Sequence, residues 1–143
     1  MRTDDRTALL RLGDMNLTVA NPSEDIRGRK VIDQAGEELG SVDDLFVDDR
    51  EKKVRFLQVA SGGFLGLGAT TFLIPVDAIT RIEEVAEGTV HIDRTREHVA
   101  GAPRYDPELA QPPDYYSDLY GYYGLPPYWG AGYLYPRFPY YPG

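Results

Sequence analysis

A succession of short, turn-bounded segments with strand-like patterning most constrains what this chain can fold into. Between residues 29 and 93, segments rich in Val, Ile, Leu and Phe alternate with polar or glycine-containing turns. In TTFLIPV, the side chains of Phe72, Ile74 and Val76 fall on one face at the two-residue period of a strand. Helix-period segments long enough for a crossover between parallel strands are missing from this region. The pattern predicts a mainly β protein: a small, partly open antiparallel β-barrel of about six strands.

The predicted strands can be placed individually. They are RKVID, SVDDLFVDD, VRFLQVA, TTFLIPV, AITRIEEV and GTVHID. Gly36 stands where the first hairpin needs a positive φ, and Pro75, which has no backbone N–H, marks a strand end or an edge. A short C-terminal helix is predicted in RTREHVAGAP, with Thr95 as its N-cap and Gly101 at its end.

Composition divides the 143 residues into three regions. Residues 1–25 form an N-terminal extension, in which ALLRLGDMNLTVA is compatible with a short strand or with helical turns. Residues 26–106 hold every predicted strand and form the folded domain. Residues 107–143 form a tail dominated by Tyr, Pro and Gly, with ten of the eleven tyrosines and the single Trp.

The tail supports two interpretations. Its low charge and frequent Pro and Gly predict neither a regular helix nor strand pairing, so it is expected to be disordered or loosely docked. Alternatively it is an interaction segment, because Tyr and Trp supply a large contact area at low entropic cost. Tyr128 and Trp129 are the tail residues selected as interaction candidates.

Charge and composition exclude several classes of function. The formal net charge of −8 disfavours binding to nucleic acid and to anionic membrane surfaces. The chain has no Cys, which excludes disulfides, zinc–thiolate sites, iron–sulfur clusters and a Cys nucleophile. The N-terminal residues lack the apolar core of a signal peptide, and no apolar run is long enough to span a membrane. The expected location is cytoplasmic.

The glycine-rich stretch GGFLGLGATTFLIP raises the question of phosphate binding. A dinucleotide fingerprint needs a G-x-G-x-x-G spacing that opens a helix, and a P-loop needs Gly-Lys-Ser/Thr. Here a strand-like segment follows, so the positive end of a helix dipole is missing. We interpret the glycines as a structural loop between strands, with the apolar residues Phe64 and Leu65 against the barrel end. The loop glycines are Gly62, Gly63, Gly66 and Gly68.

These segments, taken in order, resemble the PRC-barrel domain family over about residues 26–106. The resemblance rests on a V-x-D-x-x-G-x-x-x-G-x-V opening, an acidic DLFVD strand, a V-R-F-L-x-V strand, a Gly-rich loop, an IPV strand and a closing AP-x-Y. Matching positions are Val31, Asp33, Gly36, Gly40, Val42, Asp48, Gly66, Pro75 and Pro103–Tyr105. The family includes the cytoplasmic part of the photosynthetic reaction-centre H subunit and the C-terminal domain of a ribosome-maturation factor. The resemblance implies a small, partly open barrel that makes protein contacts rather than an active site.

Other candidate sites have simpler interpretations. The pairs Asp43–Asp44 and Asp48–Asp49 lack the alternating oxygens, central Gly and closing Glu of a calcium loop, and Asp48 is expected to cap the turn that follows it. The two histidines, His91 and His98, do not have the spacing of a metal site. No nucleophile-elbow signature is present. We therefore expect no catalytic residues, no metal and no cofactor, and a protein that is not an enzyme.

The strand at residues 53–60 suggests self-association. Val54 and Phe56 point to one face and Leu57 and Val59 to the other, whereas a small barrel buries only one face. The second pair must be covered by the N-terminal segment, the tail or another subunit. The sequence thus predicts a non-catalytic interaction or scaffold module, self-associating as a homodimer, with an unknown protein partner. The alternative is a small-ligand or metal-ion-binding protein that uses the Gly-rich loop and neighbouring acidic residues.

Overall fold

The computed structural model describes residues 9–11, 26–48, 53–62, 69–83, 88–103, 105, 114–130 and 133–134. The strands are β1 (Leu9–Arg11), β2 (Lys30–Ile32), β3 (Glu38–Asp48), β4 (Val54–Gly62), β5 (Ala69–Pro75), β6 (Ile79–Ile82) and β7 (Val90–Ile92). The helices among the described residues are α1 (Arg96–Ala100) and α2 (Tyr115–Tyr123), and a 3-10 turn spans Val76–Ala78. The prediction of a mainly β fold is confirmed, and each of the six predicted strands has a counterpart.

The strands form one sheet in the order β5-β4-β3-β2-β7-β6, with β1 added beside β3. The long strand β3 pairs with β4 on one side. On its other side β3 pairs with β2 near its start, where Lys30 is opposite Ser41, and with β1 near its end, where Leu9 is opposite Asp48. The strands at the two ends of this order, β5 and β6, do not pair with each other in the described part of the chain. The barrel is therefore partly open, as predicted.

The sheet is mixed rather than wholly antiparallel. Strands β2 and β7 run parallel, with Val31 opposite Val90, whereas the sequence predicts antiparallel pairs throughout. That expectation assumed that a parallel pair needs a helical crossover. Here the connection from β2 to β7 is made by the four intervening strands, β3 to β6, which is a longer route with no α-helix in its described part.

Glycines and a buried carboxylate fix the β2–β3 hairpin and its link to α1. Gly36 has a φ of 85°, which confirms the prediction of a positive φ at this turn. Asp33 accepts hydrogen bonds from Glu37 N at 2.7 Å and, through its other oxygen, from Arg96 N at 2.8 Å. A Cβ atom on Gly40 would lie 2.1 Å from the carbonyl oxygen of Ala60, so only glycine allows β3 and β4 to approach here.

Helix α1 is confirmed together with its caps. Thr95 Oγ1 accepts from His98 N at 3.1 Å, and Gly101 follows the last helical residue. In the N-terminal extension, Leu9–Arg11 forms a strand, which is one of the two predicted alternatives.

The expectation that the tail contains no helix is wrong for Tyr115–Tyr123, which forms α2. The prolines at 112–113 and 126–127 flank this segment and do not interrupt it. Gly124 ends the helix with a φ of 71°, a left-handed conformation that is typical of a C-terminal cap. The prolines and Gly124 lie outside the helix and only Gly121 lies within it, which is the reason that counting prolines and glycines was misleading. The division into three regions, 1–25, 26–106 and 107–143, stays a prediction.

Candidate functional site

The strand β4 is covered on both faces within one chain. Val54, Phe56, Leu57 and Val59 are each 0% exposed. The ring of Phe56 lies 5.5 Å from that of Tyr116 and 5.1 Å from that of Tyr120, both on α2. The tail is therefore the cover of Phe56 that the patterning of β4 requires. The prediction of self-association through these four side chains required one apolar face of β4 to be exposed, and neither face is.

Helix α2 is held by hydrogen bonds to the sheet and α1 with their connecting segments, which together we call the body. Its tyrosine hydroxyls and its C-terminal carbonyl group make these bonds. Tyr115 OH donates to the carbonyl oxygen of Pro103 at 3.2 Å, and Tyr122 OH donates to that of His98 at 2.7 Å. The guanidinium of Arg94 donates to the carbonyl oxygen of Tyr123. A cation at the negative end of a helix dipole is stabilising. These contacts place α2 against α1 and the segment after it.

The seam between the two helices is closely packed. The His98 ring stacks on Tyr122 with centroids 4.5 Å apart and meets Tyr123 edge-on at 5.7 Å. A Cβ atom on Gly101 would lie 2.7 Å from Tyr122 OH. Gly101 therefore provides the space that the Tyr122 hydroxyl occupies, as well as ending α1.

The chain after α2 forms a second layer, which we call the strap: residues 124–130 and 133–134. The strap lies over Arg55 and Asp77. The guanidinium carbon of Arg55 is 4.3 Å from the centroid of the Tyr128 ring and 5.9 Å from that of Tyr133. Tyr133 OH donates to Asp77 Oδ2 at 2.7 Å. Cation–π contacts and one hydrogen bond to a carboxylate thus hold the strap to the body.

Arg55 is a buried cation with a carboxylate partner. Its side chain is 3% exposed, and Nε donates to Asp48 Oδ2 at 2.8 Å. The same oxygen of Asp48 accepts from Lys53 N at 3.2 Å, which confirms the predicted turn-capping role of Asp48. The ion pair itself was missed, although a charged residue inside the apolar run VRFLQV was a signal that a partner lies opposite.

Burial perturbs the ionisable groups beneath and beside the strap. Burial raises the pKa of Asp77, and the Tyr133 hydrogen bond and the Arg55 charge only partly offset this. Burial also raises the pKa of Tyr120. Asp77 Oδ1 and Tyr120 OH are buried and have no hydrogen-bond partner among the described residues. The surface under the strap therefore retains buried polar atoms to which the described part of the strap makes no hydrogen bond.

The remaining predicted site residues fall into two groups, one in the strap and one in the Gly-rich loop. Tyr128 and Trp129 lie together in the strap, partly exposed, with ring centroids 5.0 Å apart. Leu134, which the sequence did not single out, is 86% exposed and follows them in the chain. Phe64, Leu65 and the loop glycines Gly63, Gly66 and Gly68 lie outside the described residues, whereas Gly62 ends β4. The role of these residues in an interaction stays a prediction.

The acidic and histidine candidates make internal contacts. Asp43 accepts from Gln58 Nε2 at 2.8 Å, and His91 Nε2 lies 3.2 Å from Glu83 Oε2. Within the described ranges, no group of three or more His, Asp or Glu side chains is arranged to hold a metal ion. Nor does that part of the chain contain a helix long and apolar enough to cross a membrane.

Comparison with known proteins returned one family. A family model described as the PRC-barrel domain matches residues 20–99, which include β2 to β7 and most of α1. No curated protein matches the chain. The strand β1, the helix α2 and the strap lie outside the matched residues. The match thus covers the strands β2 to β7 and does not extend to the covering tail.

Proposed function

Because the chain belongs to the PRC-barrel family, we propose that it is a non-catalytic interaction module that presents the outer side of the strap to a partner protein. The observation that supports this most is the exposed apolar surface of the strap. Leu134 is the one large hydrophobic residue that is prominently exposed among the described residues, at 86%. Trp129 and Tyr128 are partly exposed nearby in the chain. Aromatic anchors of this kind dominate the binding energy of protein interfaces.

The alternative, a small-ligand or ion-binding protein, has less support. The acids that would bind an ion are engaged inside the fold: Asp48 by Arg55, Asp77 by Tyr133, and Asp43 by Gln58. The Gly-rich loop lies largely outside the described residues. We therefore retain the interaction role and propose no catalytic residue and no cofactor.

We also propose that the strap, rather than β4, carries any self-association. A homodimer is the commonest closed assembly and would bring two identical straps together around a two-fold axis. Light scattering at high micromolar concentration measures this directly. A dimer that becomes a monomer with Leu134→Asp supports strap-mediated pairing, and a dimer that is unaffected by this substitution contradicts it.

The partner-binding role is tested by affinity capture from the native cell, followed by titration with the purified partner. The Trp129→Asp and Leu134→Asp variants should bind that partner at least tenfold more weakly than the unmodified chain, as expected when an interface anchor is lost. Thr80→Asp, at an exposed position on β6, is the matched control and should bind normally. Equal binding by all four proteins would refute the role of the strap.

A further inference from the structure

The two layers of the tail differ in how deeply they are built into the fold. The inward side chains of α2 are almost fully enclosed, including Leu119 at 0% and Tyr120 at 1% exposure. The strap residues that pack against the body are only partly buried: Leu125, Tyr128, Trp129 and Tyr133. Elements with few buried contacts open at low free-energy cost while the rest of a fold stays intact. The strap is therefore the separable layer, and α2 stays with the body.

The strap touches the body in the manner of a bound peptide. It presents the Tyr128 ring to Arg55 and the Tyr133 hydroxyl to Asp77. Its backbone turns on itself, because Gly130 N donates to the carbonyl oxygen of Pro127 and Tyr133 N to that of Gly130. Side chains that project from this turned segment therefore supply the contacts with the body.

The surface under the strap also has binding capacity that the strap does not use. Asp77 Oδ1 and Tyr120 OH are buried without a hydrogen-bond partner among the described residues, and Tyr120 is 1% exposed. Unsatisfied buried polar atoms are costly, so a ligand that supplies donors to them gains affinity. The strap is therefore a suboptimal occupant of this surface. A segment of similar shape that also donates hydrogen bonds to these atoms can replace it.

We propose that the surface formed by Arg55, Asp77 and Tyr120 is a docking site for a tyrosine- and proline-rich segment of a partner protein, and that the strap is its intramolecular occupant. This inference rests on the proposed interaction role. The partner segment places an aromatic ring over Arg55 and a hydroxyl donor at Asp77. A tethered strap competes at an effective concentration in the millimolar range, so displacement requires a tighter ligand or a weakened strap.

The test uses the full chain and a peptide of defined sequence. The peptide is a fluorescently labelled copy of residues 124–134, and its matched control carries Tyr128→Ser and Tyr133→Ser. The receptor is the full chain with the same two substitutions in its own strap, which frees the surface and leaves α2 unchanged. Cooperative urea unfolding confirms that this receptor is folded. If it is not, Tyr133→Phe, which removes only the hydroxyl, takes its place.

The peptide should bind the strap-weakened chain saturably, as read by fluorescence anisotropy, and bind the unmodified chain at least tenfold more weakly because the strap competes. Adding Asp77→Ala to the receptor should weaken binding about tenfold, since a hydrogen bond to a charged group is lost. Adding Glu38→Ala, at an exposed carboxylate on β3, should change nothing. Absence of binding, equal binding of the control peptide, or no effect of Asp77→Ala overturns the proposal.

Different measurements identify the segment that occupies the surface and test the proposed interaction role. If the unmodified chain is a dimer that the peptide converts to monomers, a second copy supplies the segment and the assignment to a different protein is wrong. The peptide experiment probes the surface under the strap, whereas Leu134→Asp probes its exposed side. Trp129→Asp does not separate the two, because the Trp129 ring lies 5.6 Å from that of Tyr120. Either role can therefore fail while the other stands.

Discussion

At the scale of single residues, the structure places one cation and two carboxylates beneath an aromatic layer. Arg55 is held by Asp48 and covered by the Tyr128 ring, and Asp77 is held by the Tyr133 hydroxyl. Breaking a buried pair by removing one partner costs about 3–5 kcal/mol, because the remaining charge stays buried. Arg55 therefore links the end of β3, through Asp48, to the strap, through Tyr128.

The charge of Asp77 should oppose folding near neutral pH. Its pKa is raised by burial, so the folded chain binds this proton more tightly than the unfolded chain does. The resulting stabilisation is full below the ordinary pKa of Asp and is lost as the pH rises through the folded value. We expect the free energy of unfolding of the unmodified chain, relative to Asp77→Asn, to fall as the pH rises above the ordinary pKa of Asp, near 3.8.

Asn at position 77 keeps an acceptor for Tyr133 and removes only the titration. Urea unfolding of both proteins at several pH values measures the difference directly. A gap between the two proteins that grows in favour of the unmodified chain as the pH rises would show that the Arg55 charge outweighs burial at this site.

Gly101 offers a second residue-scale prediction. Its φ is −86°, so Ala fits the backbone, but the new Cβ would lie 2.7 Å from Tyr122 OH. Gly101→Ala should displace the hydroxyl, break its hydrogen bond to His98 and lower the free energy of unfolding by about 1 kcal/mol. In a Tyr122→Phe background the same substitution should be neutral or stabilising, because the hydroxyl is gone and the unfolded chain is less flexible. Equal destabilisation in both backgrounds would show that the cause lies elsewhere.

At the scale of elements, α2 stands between the sheet and solvent and carries the buried phenols. Phe56 of β4 is covered by α2, and the ends of the helix are fixed by Tyr115 and Arg94. A nine-residue helix is marginal on its own in water, so its stability comes from these tertiary contacts. The helix and the outer face of the sheet should consequently form and melt together.

This dependence predicts a steep loss of stability in alkali. Burial raises the pKa of Tyr115, Tyr120 and Tyr123, so these phenols ionise in the unfolded chain before they ionise in the folded one. The stabilisation from a raised pKa is present below the unfolded value, near 10, and is lost above it. Three such groups together reduce the free energy of unfolding by about 4 kcal/mol per pH unit. Absorbance at 295 nm should show them ionising only with cooperative unfolding, and gradual ionisation of every tyrosine would contradict burial of α2.

At the scale of the whole molecule, the sequence predicted the barrel well and its cover poorly. Alternating apolar residues located all six predicted strands, and Gly36 and Thr95 were recognised because their local geometry is dictated by residue type. The parallel pairing of β2 with β7 was missed because register between distant strands depends on how the whole sheet curls. Helix α2 was missed because prolines and Gly124 were counted as breakers, although they lie outside its ends.

The candidate site shows the same limit. The apolar residues on both faces of β4 correctly indicated that something must cover the strand, and the tail was one of the three covers considered. Which one does so depends on long-range packing of Tyr120 on Phe56, for which the local sequence gives no signal. The contacts of Arg55 with Tyr128 and of Asp77 with Tyr133 join residues more than fifty positions apart and were likewise invisible.

The buried side chains of α2 and their packing on Phe56 make the tail helix part of the folded core. Amide hydrogen exchange on the full chain tests this most directly, by comparing the amides of α2 with those of β4 as urea is increased. If α2 belongs to the core, the hydrogen-bonded amides of Tyr120 and Tyr123 open with the same free energy and the same urea dependence as those of Phe56 and Leu57. If α2 instead exchanges at the rate of an unstructured peptide while β4 stays protected, the tail is an appendage and α2 does not belong to the core.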